Sequence, residues 1–502
     1  MELLPNLLLG LSTASSVVNL AFCFAGVLLG TLIGVLPGIG PTATIALLLP
    51  VTIQIGDPVS SLIMLAGIYY GAQYGGSTTA ILINLPGEAS SAVTAIDGYQ
   101  MARNGRAGVA LAVAAIGSFF AGTISTLLIA IFALPLTAVA LRFGAAEYCS
   151  LMLVGLVCSA ALAHGSIIKA LAMAVIGLLL GLVGVDIYAG TPRFNLGIAE
   201  LSDGLNFVAV AVGLFGIAEI LRNLESERGR DVLVAKVTGL MPTRDDFRSM
   251  AVPILRGTVL GSALGILPGG GATLASFASY AVEKQVSKTP EKFGKGAIEG
   301  VAGPESANNA AAQTSFIPML TLGIPANPVM ALMIGAMIIH GIVPGPNIIA
   351  EQPALFWGVI ASMWIGNLML VILNLPLIGL WVKLLKVPYY VLFPIIMGFC
   401  SIGVYSVSSN IYDLYTVAFF GLAGYVLIKL RCEPAPLLLG FVLGPLLEEN
   451  LRRALLLSHG DPTVFVTRPI SAALLVLSLV VLAAVLIPAV RREREVVFAK
   501  DD

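Results

Sequence analysis

The chain has 502 residues, of which 58% are hydrophobic and 11% charged, with a formal net charge of −1. Soluble domains carry about 25% charged residues, so no ordinary soluble domain fits, and the charge pattern offers nothing to nucleic acid. The chain reads as an all-α polytopic membrane protein, with apolar runs of roughly 20 residues, about 11–12 crossings in all, joined by short polar connections.

No Lys or Arg precedes Arg103, so the N-terminus lacks a basic region and no cleavable signal peptide is expected. Five scattered cysteines (Cys23, Cys149, Cys158, Cys400, Cys432) form no Cys-x-x-Cys pair and read as packing residues plus a loop thiol. The three histidines are far apart, no resident metal or cofactor is assigned, and no phosphate-binding Gly-rich Lys-Ser/Thr loop occurs.

In chain order, Ser15–Leu36 is long enough to cross a bilayer. The stretch LPGIGPT that ends it breaks any helix: Pro37 and Pro41 remove backbone donors, and Gly38 and Gly40 admit unusual dihedrals. Thr42–Ile55 spans roughly 21 Å as a helix, too short for a core of roughly 30 Å, and is expected to be a half-helix or one arm of a re-entrant hairpin. The glycines at 26, 30 and 34 lay a flat stripe suited to close helix packing. Leu62–Asn84 starts apolar and turns polar at Gln73, Ser77, Thr78 and Thr79. Asn84, Pro86 and Gly87 then break it, and Glu88 and Asp97 follow without an adjacent base. Val109–Leu141, Tyr148–Leu162, Ile167–Val185 and Gly204–Leu221 read as scaffold helices, as does a last helix, Ile470–Val490. Glu219 before Arg222 and Glu448 before Arg452 read as helix-end charges.

The second half repeats the first. A shift of 231 positions carries Gly26, Gly30, Gly34, Leu36, Pro37, Gly38, Gly40 and Thr42 onto Gly257, Gly261, Gly265, Leu267, Pro268, Gly269, Gly271 and Thr273. A shift of 239 lays Pro86 on Pro325, and one of 243 aligns Gly155 and Gly181 with Gly398 and Gly424. Residues 1–230 and 231–502 are therefore expected to form two transmembrane repeats. The second polar cluster is richer: Glu299, Glu305, Ser306, Asn308, Asn309, Gln313, Thr314 and Ser315, then Gly323, Pro325 and Asn327.

Basic residues collect in cytoplasmic loops, and corresponding loops carry them in opposite phase. Gly56–Ser61 has none where Glu283–Lys295 has four lysines, whereas Arg103 and Arg106 face a second-half loop, His340–Pro353, with none. Inverted-topology repeats, common among secondary transporters, follow from this alternation. It leaves Arg142, Arg193, Arg452, Arg453 and Arg468 on the outer side.

Uncharged oxygens and amides beside broken helices suit a small cation and, through helix N-termini, a carboxylate. Candidate substrate- or ion-binding residues are Pro37, Gly38, Gly40, Thr42, Ser77, Thr78, Asn84, Pro86 and Gly87 in one half. In the other they are Pro268, Gly269, Gly271, Thr273, Ser306, Asn308, Asn309, Pro325 and Asn327. A membrane-embedded enzyme is not expected, because Ser77 with Glu88, or Ser306 with Glu305, lacks a neighbouring His or Lys.

The strings GVLPGIGPT, YGGSTTAILINLPGE, TAIDGYQMARNGRAG, GILPGGG and GPESANNAAAQTSFIPMLTLGIPANPVMALMIGA together resemble the large membrane subunit of the tripartite tricarboxylate transporters, the TctA family, nearly end to end. One departure is Ala326 where Gly is expected between Pro325 and Asn327. The resemblance implies a secondary transporter of the bacterial inner membrane, working with a small four-helix membrane subunit and a periplasmic solute-binding protein. Its substrate would be a tricarboxylate such as citrate or a related carboxylate, and its coupling ion Na⁺ or H⁺. The alternative is a self-sufficient carboxylate or cation exchanger.

Overall fold

Long runs of Leu, Ala, Val and Ile punctuated by proline and glycine build helices whose ends coincide with those residues. The computed structural model describes residues 3–36, 40–163, 166–186, 188–226, 237, 239–267, 271–384 and 389–486. The first half comprises α1 (Leu3–Ala14), α2 (Val17–Val35), α3 (Pro41–Gln54), α4 (Pro58–Ile83), α5 (Ala92–Met101), α6 (Ala107–Ala140), α7 (Ala145–Leu162) and α8 (Ile167–Gly181). A two-residue antiparallel pair follows, β1 (Gly184–Val185) with β2 (Pro192–Arg193), a small exception to the all-α expectation. Next, α9 (Phe207–Ala211) runs through a π segment (Val212–Ile217) into α10 (Ala218–Ser226).

The second half comprises α11 (Arg244–Gly265), α12 (Gly271–Val286), α13 (Glu299–Thr314), α14 (Phe316–Leu322), α15 (Pro328–Ile339), α16 (Ile348–Glu351) and α17 (Pro353–Asn374). After these come α18 (Ile378–Leu384), α19 (Tyr389–Ser408), α20 (Ile411–Lys429), α21 (Pro434–Leu457), α22 (Val464–Thr467) and α23 (Pro469–Leu486). Among the described residues, five helical stretches are long and apolar enough to cross a membrane: Val17–Val35, Ala89–Ala140, Phe207–Glu225, Pro353–Asn374 and Ile411–Lys429. Shorter apolar helices, α3 and α15 among them, accompany these. Ahead of the first expected segment, α1 is a separate helix whose Gly10 packs on the Trp357 backbone of α17. The last expected helix is present as α23, and its final residues 487–490 lie outside the described residues.

Hydrogen bonds fix the helix directions. Ser60 Oγ donates to Asn19 Oδ1 (2.6 Å) at the start of α2 and α4, and Thr79 Oγ1 donates to Gly34 O (3.1 Å) near their ends, so the two run parallel. Ser61 Oγ donates to Thr52 O (2.7 Å), which brings the end of α3 back to the start of α4. Thus α2 and α3 form a hairpin that enters and leaves on one side. In the second half, α11 lies along α13, and α12 returns beside them, tied to α11 by Arg256 Nε donating to Glu283 Oε1 (2.8 Å).

The glycine stripes make this packing possible. A methyl group at Gly26, Gly30 or Gly34 would lie 2.3, 2.4 or 2.4 Å from the carbonyl oxygens of Met64, Ile68 and Ala72. At Gly257, Gly261 or Gly265 it would lie 2.3, 2.2 or 2.5 Å from those of Gly303, Ala307 and Ala311. The contact pairs recur at shifts of 231 on one helix and 239 on the other, the values read from the sequence.

Each half lends a helix to the other's bundle. Along α13 runs α6, with Asn309 Nδ2 donating to Ser118 Oγ (2.7 Å) and Ser125 and Ser262 hydroxyls 2.9 Å apart. Along α4 runs α17, with Gly358 near Val59 and Tyr74 Oη donating to Asn367 Oδ1 (2.6 Å). Because Asn367 also bonds Phe119 O and Trp364 bonds Thr123 O, α17 and α6 run in opposite directions. The α2–α4–α17 group is therefore antiparallel to the α11–α13–α6 group. At the periphery α8 crosses α21 through Gly177 and Gly440, α10 and the π segment meet α20, and α7 meets α23 through Ser150 and Ser471.

Glu448 corrects the sequence reading. It is no simple helix-end charge: with Arg452 it joins Arg193 and Asp186 in a four-member ion cluster, binding the loop after α8 to α21. Arg468 likewise pairs with Glu147 (2.5 Å). Three of the basic residues left on the outer side by the charge argument are thus held in local ion pairs.

Candidate functional site

The site grows from one contact between halves, where α4 meets α13. The carboxylate of Glu305 is fully enclosed there. Ser77 Oγ donates to its Oε2 (2.5 Å), Thr94 of α5 donates to its Oε1, and Asn308 Nδ2 reaches Oε2 at 3.4 Å. Asn309 Nδ2 spans Asn308 Oδ1 (2.7 Å), Ser118 Oγ (2.7 Å) and Glu305 O (3.1 Å). A second acid, Glu88, is 8% exposed at the break after α4. Gln73 Nε2 donates to its Oε2 (2.8 Å), and Ser90, whose hydroxyl bonds Glu88, has its own carbonyl bonded by Ser276 Oγ of α12 (2.8 Å). Elements of both halves, including the second hairpin, therefore converge on two acids.

Neither Glu88 nor Glu305 has an ion-pair partner among the described residues. A buried carboxylate without a cation is expensive, and in a bilayer such residues mark ion or proton paths. Neutral hydrogen-bond donors lower that cost without cancelling the charge.

Beside Glu305 lies a small cavity lined by Tyr74, Ser77, Thr78, Ser118 and Asn374 together with Leu and Ala side chains. It leaves about 10 Å³ for the centre of a water-sized body, room for a single water or bare cation. A tricarboxylate does not fit in it.

The sequence candidates divide by place. Ser77, Asn308 and Asn309 belong to the Glu305 cluster, and Thr78 lines the cavity. Ser306 is buried and bonds Ala302 O (2.8 Å) on its own helix, facing α6 at Gly117. Asn327 caps α15 by accepting from Met330 N (3.0 Å) and donates to Tyr69 Oη (3.2 Å), with Pro325 buried just before it. Asn84 and Pro86 are exposed on the far side of the break. Gly87 is pressed against Gly34 O, where a methyl would stand 2.0 Å away. Gly40 opens α3 with no side-chain cap, and Thr42 is half-buried in its first turn; Gly271 and Thr273 hold the same places in α12. Pro37, Gly38, Pro268 and Gly269 lie outside the described residues.

The described arms of the two hairpins approach from opposite sides. Gly34 of α2 lies beside Thr79, and Gly271 of α12 lies against Asn327, which bonds Tyr69. Those levels are about 15 Å apart along α4, and Ser77 with Glu305 falls between them.

Sequence reasoning passed over Glu88, Glu305, Thr94, Ser118 and Asn374 as site residues. The usable signal was two acids inside apolar runs without a neighbouring base. Thr94 and Ser118 carry none, because their partners sit some 200 residues away in the chain.

Residues 20–439 match the tripartite tricarboxylate transporter TctA family. An uncharacterized 52.8 kDa protein in the TAR-I ttuC′ 3′ region of Agrobacterium vitis is 66% identical over 502 residues, covering all of both chains. A second Agrobacterium vitis protein, in the TAR-II ttuC′ 3′ region, is 69% identical over 242 residues, 48% of this chain and all of its own. No solved structure matches. The chain thus belongs to the tripartite tricarboxylate transporter TctA family.

Proposed function

We propose that the chain is the large membrane subunit of a cation-coupled importer of tricarboxylates or related carboxylates in the bacterial inner membrane. It would work with a small four-helix membrane subunit and a periplasmic solute-binding protein. The observation that carries this reading is the Glu305 cluster: acids without an ion-pair partner among the described residues, and neutral oxygens, at the junction of two antiparallel bundles. The opposed helix directions and the recurring glycine contacts support inverted-topology repeats, the arrangement in which one bundle moves against the other around a central site.

Charge arithmetic favours coupling. Moving a trianion into a cell negative inside costs about 7 kcal/mol at 100 mV, from about 2.3 kcal/mol per charge. Helix N-termini supply roughly 0.3–2 kcal/mol each, enough to orient carboxylates at the uncapped start of α3 and at the matching end of α12. The remainder must come from a cation gradient, Na⁺ or H⁺. The test is uptake of labelled tricarboxylate by vesicles holding both membrane subunits, with and without the binding protein. Uptake is expected only with the binding protein, and Pro37→Ala with Pro268→Ala should reach the membrane yet lose it. Full uptake without the soluble component would identify a self-sufficient exchanger instead.

A further inference from the structure

We infer that the cavity between α4, α6 and α17 is a Na⁺ site, with Glu305 as its counter-charge. This rests on the reading of the chain as a cation-coupled transporter and names the cation and its ligands. Asn374 is 5% exposed, and its Nδ2 donates to Leu370 O (2.9 Å), which identifies the nitrogen end of the amide. Its Oδ1 is buried with no hydrogen-bond partner among the described residues. Leaving an amide oxygen so is costly, and this one belongs to a cavity whose other polar lining is entirely hydroxyl.

Three of those hydroxyl groups have already committed their protons. Tyr74 Oη donates to Asn367 Oδ1 (2.6 Å), Ser77 Oγ to Glu305 Oε2 (2.5 Å), and Ser118 Oγ accepts from Asn309 and donates to Glu305 O (3.4 Å). What they present to the cavity is oxygen lone pairs, joined by Thr78 and by the unpartnered Asn374 oxygen. A ring of acceptors around a water-sized space suits a bare monovalent cation, whereas Mg²⁺ retains several waters and Ca²⁺ takes carboxylates as direct ligands. Glu305, one hydrogen bond behind Ser77, balances a single positive charge. The cation and the acid then satisfy each other, and a bound Na⁺ links α4 and α6 of the first half to α17 of the second.

The purified full chain is tested by ²²Na⁺ binding and by thermal stability in NaCl against choline chloride. Saturable Na⁺ binding with a rise in melting temperature is expected. Thr78→Val and Asn374→Leu should each weaken Na⁺ affinity at least tenfold while their melting temperatures in choline stay near that of the parent. The proposal is overturned if the parent responds alike to Na⁺ and choline, or if both variants keep parental Na⁺ affinity, in which case the cavity holds water. Tricarboxylate uptake driven by a proton gradient without Na⁺ binding would sink this inference and leave the transport reading standing. Saturable Na⁺ binding without any tricarboxylate uptake would do the reverse.

Discussion

Gly87 and Ala326 occupy equivalent places after the two polar breaks, yet their surroundings differ. At Gly87 a methyl would fall 2.0 Å from Gly34 O and 2.7 Å from Gly76 Cα, backbone atoms that cannot swing aside, whereas Ala326 is buried with its methyl accommodated. Gly87→Ala should therefore destabilise by about 1–3 kcal/mol, and Ala326→Gly by no more than about 1 kcal/mol. Thermal melting of the two variants in one detergent checks this, and equal effects would show that the breaks are packed alike. The sequence flagged Ala326 as the departure; the close contact with α2 lies at its counterpart, Gly87. At this scale the stripe of glycines was legible because its spacing alone defines a helix face. Glu305 was legible only as an acid in an apolar run without a neighbouring base; its partners Ser77 and Thr94 are distant in sequence, so the cluster around it was not.

Helix pairs repeat more faithfully than their sequences. Asn84 and Gly323, one shift of 239 apart, both end their helices in the left-handed region, at φ 58° and 70°. Glu88 and Asn327, on the same shift, both open the next helix from extended backbone, at φ −149° and −156°. Asn tolerates the left-handed region where most residues do not, which explains how an identical turn arises from different residues. Gly323→Ala places a methyl 2.6 Å from Pro344 O at positive φ and should lower the melting temperature, while Asn84→Gly should be nearly silent. A reversed order would mean that the two turns are held by different forces. Hairpin arms were legible from the short Thr42–Ile55 run between proline breaks. The lending of α6 and α17 between bundles was not, since no local pattern says which neighbour a long apolar helix will choose.

Across the whole molecule the halves are tied by acids. Asp97 of α5 is fully buried and accepts from Gly294 N (2.9 Å), Gly296 N (2.8 Å), Ala297 N (2.8 Å) and Tyr280 Oη (2.9 Å), fastening the loop after the second hairpin. Asp97→Leu leaves three backbone donors without this acceptor and should cost at least about 2 kcal/mol, with faster hydrogen exchange confined first to residues 294–297. In the loop after α8, the backbone N–H groups of Tyr188 and Ala189, with Arg452 and Arg193, hold the Asp186 carboxyl below its ordinary range. A depressed carboxyl contributes fully above its unfolded value, about pH 4, and loses that contribution as pH falls through the lowered value. A spin-label distance from this loop to α21 should stay constant from about pH 7 to pH 5 and lengthen only below about pH 4. Lengthening at pH 6 would assign the tie to another group.

For the importer proposed above, the cost of moving a trianion inward would make coupling the decisive property. Labelled tricarboxylate uptake into proteoliposomes holding both membrane subunits and the binding protein, with cation gradients imposed and then collapsed, measures it directly. Accumulation is expected with the gradients and only passive equilibration without them. Equal accumulation in both conditions would contradict the account.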